Sequence, residues 1–209
     1  MSSEPLSRGR MVLPLERGSR LDGLRTLLAC ALVACLPACG DIEGARNASL
    51  RESSAATVRE FMSVKTDSEW WHLAPYACRG LADLGRFDEA RGLAQEMLNA
   101  EVGELRKVNV GTVHHFAHIV LGRIAVAAGD LEEAQRQLGL AGGVPSSPHL
   151  RSYGPDMRLA DELLRAGRKD AVLRYLEQCE VLWGQMGLAL SAWTDEVRAG
   201  RIPNWHQNF

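Results

Sequence analysis

Two stretches of this chain repeat one pattern 44 residues apart, GRFDEARGLAQEM from Gly85 and GDLEEAQRQLGLA from Gly129. Aligned on those glycines, Phe87 matches Leu131, Ala90 matches Ala134, Ala94 matches Leu138 and Met97 matches Ala141. Upstream, Ala77, Cys78 and Leu81 match Leu121, Gly122 and Ala125. Apolar residues recurring at three and four on both sides of a glycine specify two amphipathic helices joined by a tight turn. A looser third copy follows, with Leu159, Ala160 and Leu163 before Gly167 and Val172, Leu176 and Cys179 after it, Val172 standing where the other copies carry Ala. A lone helical hairpin leaves an apolar face uncovered, so copies must stack, and about three are needed to bury a continuous core. The expectation is an all-α fold without a sheet.

Punctuation along the chain supports this division. Thr66 and Glu69 have the spacing of a capping box, and Asp130 with Glu133 can cap a second helix. Residues 40–54, GDIEGARNASLRESS, lack apolar periodicity and read as a flexible tether, with the helical domain spanning 55–209. Residues 55–64 are expected to cap the front of the stack, and Leu188 to Val197 with Trp193 the back. Gly142 to Pro155, rich in Gly, Ser and Pro, reads as a loop between the second and third copies.

Small residues where two helices cross, a turn Gly, an aromatic or Leu two residues later and an Ala deep in the second helix resemble the tetratricopeptide repeat. That unit is about 34 residues long, so the resemblance implies an insertion of about ten residues around Glu101 to Val110. It also implies a solenoid of helical hairpins, three repeats with flanking caps, whose first helices line a partner-binding groove. Transferred to this chain, the groove positions are His72, Arg79, Arg123, Asp161 and Arg165. Arg79 and Arg123 occupy one place in consecutive copies and so would jointly hold a carboxylate or an acidic peptide, against the plainer reading of solvated arginines. Residues 114–209 further resemble an uncharacterised group of bacterial tetratricopeptide-like proteins, through His114 to Gly122, Ser147 to Leu163 and Gly200 to Asn204. That resemblance implies a fold and no activity.

The N-terminal region carries an address. Leu27 to Ala38, LLACALVACLPA, follows Arg20 and Arg25 and ends in small residues, as the apolar core of a secretory signal does. Twelve residues are too few to span a bilayer comfortably. Met11 is an alternative start that would shorten the leader. Leu36-Pro37-Ala38-Cys39 resembles the lipobox of bacterial lipoproteins, with Leu32-Val33-Ala34-Cys35 as a second match. Cleavage before Cys39 removes the whole apolar run, giving a 1–39 signal sequence and a lipidated Cys39; an uncleaved anchor is the alternative. Gly40 rather than Asp follows, which by the resemblance favours the outer membrane over the inner.

Composition limits the chemistry. The net charge is −2, with 19 basic and 23 acidic residues after position 39, and no cluster of Lys or Arg to meet a nucleic-acid backbone. No nucleophile elbow, phosphate-binding glycine loop, CxxC pair or Ser/His/Asp order is recognisable. His114 and His118, four apart, share a helix face and suit one metal ion, although no carboxylate at helical spacing supplies a third ligand. The plainer reading packs His118 at the hairpin interface and has His114 cap the helix start. Cys78 and Cys179 are expected to be buried free thiols. Trp205 either docks back on the last hairpin or presents a recognition tail. The resulting expectation is a non-enzymatic lipoprotein without cofactor, anchored in the bilayer by its acyl chain, that binds or scaffolds a protein or peptide partner in the cell envelope. A metal-binding protein or metal-dependent enzyme using His114 and His118 is the alternative, and a structural subunit without a separable ligand a third.

Overall fold

A computed structural model of the protein describes residues 41–101, 103–183 and 187–205. The expected signal sequence, both lipobox matches and Cys39 lie outside them. Helices account for the regular structure of the described residues: α1 (Asp41–Met62), α2 (Asp67–Asp83), α3 (Phe87–Asn99), α4 (Val110–Ala127), α5 (Leu131–Gly142), α6 (Pro148–Tyr153), α7 (Arg158–Arg165), α8 (Lys169–Trp183) and α9 (Gly187–Arg198), with a 3-10 segment Glu104–Asn109 before α4. The fold is all-α.

The repeat in the sequence is a repeat in the backbone. Gly85, Gly129 and Gly167 have φ of 75°, 80° and 78°, the left-handed region that closes a helix without a Cβ penalty. Each is followed by an amide that reaches back to the helix: Arg86 N–H to the Leu81 carbonyl, Asp130 to Ala125 and Arg168 to Leu163. The same turn recurs at Gly200, φ 76°, where Arg201 N–H donates to the Glu196 carbonyl. The capping box forms as expected: Thr66 Oγ1 accepts from Glu69 N–H at 3.2 Å and Glu69 Oε2 from Thr66 N–H at 3.0 Å. Asp130 caps α5 through the Glu133 amide, while the Glu133 side chain turns instead to Arg136 and Gln137.

Packing is sequential. The helices preceding the glycine turns meet one another, α2 on α4 and α4 on α7, while α5 packs on both α4 and α8. Helix α4 therefore belongs to two apolar clusters. Val113, Phe116, Ala117, Val120 and Ile124 join α2 and α3. Ile119 and Ala125 join α5, α7, α8, α9 and Trp205. By length and hydropathy the segment Lys107–Ala127, mostly α4, would suffice to cross a membrane, but here most of it is buried among its neighbours. Gly122 permits this crowding, since a Cβ there would run into the Leu159 side chain of α7.

Two local expectations need correction. Residues 41–54, read as a tether, are the first part of α1. Residues 44–53 are exposed, and the helix is held further along by Ser54 and Val58, which close on Gly80 of α2. A polar stretch without periodicity thus continues a helix whose distal half is docked. The Gly142–Pro155 loop contains α6, nucleated by Ser147, whose Oγ accepts from Leu150 N–H at 3.2 Å, with Pro148 at the first helical position.

Candidate functional site

Beneath the surface formed by α2, α4 and α7 lies an ionic network. Arg123 of α4 donates from Nη1 to Asp83 of α2 at 2.7 Å and from Nε to Glu162 of α7 at 2.8 Å. Its side chain is 15% exposed and that of Asp83 3%. Arg158 bridges Asp83 and Asp156 at 3.6 and 3.5 Å, and Arg79 reaches Asp156 at 3.7 Å. Burial alone would raise the Asp156 carboxyl, yet the Arg158 and Arg79 guanidiniums and the Arg158 amide hold it below the ordinary value. Burial raises Glu162 despite Arg123.

The segment between α5 and α7 lies across the α2–α4 surface. Thr112 Oγ1 and Ser147 Oγ are 2.7 Å apart. Fully buried His115 accepts the Asp156 N–H at Nε2, 2.9 Å, so its other nitrogen carries the proton and donates to the Ala141 carbonyl at 3.0 Å. Tyr175 of α8 donates to the Asp156 carbonyl at 2.9 Å.

Beside this segment opens a cleft of about 300 Å³, walled by Ser68, Trp71, His72, Pro75 and Tyr76 of α2, by Asn109 and Thr112, and by His149 of α6. Its rings brace one another. The Tyr76 hydroxyl is 3.3 Å from His149 Nδ1, Tyr76 packs at 5.7 Å on Phe116, and His72 meets Tyr76 edge-on at 6.1 Å. The Arg79 guanidinium lies 5.7 Å from the Tyr76 ring centre and 5.6 Å from that of Phe116. Burial lowers the His149 basicity, and the charges of Arg79 and His72 lower it further.

The five groove positions read from the sequence thus have different fates. His72 lines the cleft and is exposed. Arg79 stands behind its Tyr76 wall, 28% exposed. Arg123 already holds two carboxylates of its own chain, so the pair with Arg79 is not set out as a clamp for an incoming one. Asp161 is buried between Arg165, 2.7 Å from its Oδ2, and the Trp205 indole N–H, 3.0 Å from its Oδ1. Arg165 lies on the surface, its side chain 62% exposed.

Trp205 docks back, 1% exposed and edge-on to Trp193 at 5.3 Å. Cys78 and Cys179 are buried free thiols whose protonated forms burial favours. His118 hydrogen-bonds Gln137 of α5 at 2.7 Å, whereas His114 sits in the second turn of α4, past the start that Asn109 occupies. Among the described residues no group of three or more His, Cys, Asp or Glu gathers as a metal site. Sequence reasoning missed Tyr76, Asn109 and His149 of the cleft and Asp83, His115, Asp156, Arg158 and Glu162 beneath it. No family model, curated protein or solved structure matches this chain.

Proposed function

We propose that this protein is an exported helical-repeat lipoprotein, held at the outer membrane through Cys39, that binds a protein or peptide partner in the cell envelope without performing catalysis. The repeated glycine turns and the stacking of α2, α4 and α7 support a tetratricopeptide-like solenoid. A leader with a lipobox supports the address.

The cleft between α2, α4 and α6 carries the binding reading. It combines a rigid aromatic wall with polar groups from Ser68, His72, Asn109 and His149, the mixture by which an anchoring side chain is both buried and oriented. Its volume is at the small end for ligand sites, which suits one or two residues of a partner rather than a long peptide laid along the groove. The segment 143–157 already lies over the α4 part of that face. Recognition therefore centres on His72, Tyr76 and His149, with Arg79 backing the Tyr76 ring.

The test is crosslinking of the tagged, full-length protein in its native cells, followed by identification of proteins captured by the natural sequence and not by His72→Ala/His149→Ala. A partner specific to the natural sequence is expected. Equal capture by both would remove the cleft from recognition.

A further inference from the structure

The lining of the cleft selects among occupants. Rings follow one another from α2 to α6: His72 meets Tyr76 at 6.1 Å, Tyr76 meets His149 at 5.9 Å and His149 meets Tyr153 at 4.9 Å. Tyr153, 71% exposed, carries this aromatic surface beyond the cleft. None of the eight lining residues is Asp, Glu, Lys or Arg, and every polar one bears an O–H or N–H. The Thr112 hydroxyl is taken up by Ser147 at 2.7 Å. The Tyr76 hydroxyl and His149 Nδ1 share one contact of 3.3 Å, in a ring whose burial favours the neutral form. If the hydroxyl donates, His149 keeps an N–H at Nε2; if Nδ1 donates, Tyr76 keeps its O–H. Either way the pair retains one donor. Asn109 stands at the N-cap of α4, yet its side chain makes no capping bond, so its amide is not spent on the helix.

We propose that the cleft binds a proline-rich segment of the partner in the polyproline II conformation, its rings against Tyr76, His149 and Tyr153 and its carbonyls accepting from Asn109 and the Tyr76–His149 pair. The assignment rests on the cleft being the recognition site. Proline is the complement of this lining: it carries no charge, presents a backbone carbonyl without an amide donor, and packs a flat apolar ring on aromatic faces. Polyproline II leaves its carbonyls open and loses little freedom on binding, which suits a site that holds one or two residues. A charged side chain would lose water without gaining a counter-charge, since Arg79, behind Tyr76, is already 3.7 Å from Asp156. A sugar, rich in hydroxyl donors, would find no carboxylate among the lining residues to accept from it.

The experiment titrates the full-length protein in detergent into a dye-labelled decaproline peptide and follows fluorescence anisotropy. Saturable one-site binding is expected, absent for a Gly-Ser peptide of equal length and undisturbed by a chitin tetrasaccharide. Tyr76→Leu should weaken it by at least about tenfold and Tyr153→Ala, at an exposed ring whose loss spares the core, by about fivefold. Circular dichroism checks that each variant is folded. Absence of binding, equal binding of the Gly-Ser peptide, displacement by the sugar, or unchanged affinity in both variants would overturn the assignment. If decaproline fails while His72→Ala/His149→Ala still loses the crosslinked partner, the proline assignment falls alone. If both tests fail, the cleft falls with it.

Discussion

Asp83 of α2 and Arg123 of α4 are joined carboxylate to guanidinium at 2.7 Å with both side chains largely removed from water. Because Arg123 also holds Glu162 of α7, one side chain ties together three successive helices that precede the glycine turns. Arg123→Met should therefore leave Asp83 buried without its closest partner and cost about 3–5 kcal/mol in urea unfolding. Arg91→Met, on an exposed pair with Asp88, should cost at most about 1 kcal/mol. Equal effects would mean that the network contributes no more than a surface pair.

The glycines separate by what surrounds them. A Cβ at Gly111 would collide with the Pro145 carbonyl oxygen, part of the segment that crosses α4, whereas one at Gly92 in α3 meets nothing within 4 Å. Gly111→Ala should destabilise by about 1–3 kcal/mol, because backbone must move. Gly92→Ala should stabilise by about 0.5–1 kcal/mol through helix propensity. Paired thermal melts check the opposite signs.

Trp205 fills the end of the second apolar cluster, against Trp193 and Asp161. Trp205→Ala should cost about 3–5 kcal/mol, as other large core truncations do. A recognition tail would instead lose partner binding with unchanged stability.

His149 gives the stability a pH dependence. Its folded basicity is depressed, so the unfolded chain takes up a proton near the ordinary value of 6.5 while the folded chain resists until lower pH. The contribution of the neutral ring is intact above that value and declines as pH falls below it. Urea midpoints measured from pH 7.5 to 5.5 should fall more steeply in the natural sequence than in His149→Gln.

The hairpins were legible because a turn that needs positive φ selects glycine and a buried helix face repeats at three and four, both local properties of the chain. The network was not. Arg123 finds partners 40 and 39 residues away, and nothing near Asp83 or Glu162 in sequence distinguishes them from solvated carboxylates. The same limit hid the cleft, since His149 reaches Tyr76 only after α6 folds across α4. α1 was misread at its start because its exposed half has no apolar stripe to detect.

Photocrosslinking from within the cleft tests the binding reading most directly. A benzoylphenylalanine placed at His72 in the full-length protein, irradiated in its native cells, should form a discrete adduct with one partner, and Tyr76→Ala in the same chain should abolish it. An adduct that survives Tyr76→Ala, or none beyond that formed from exposed Arg91 on α3, would contradict recognition through this cleft.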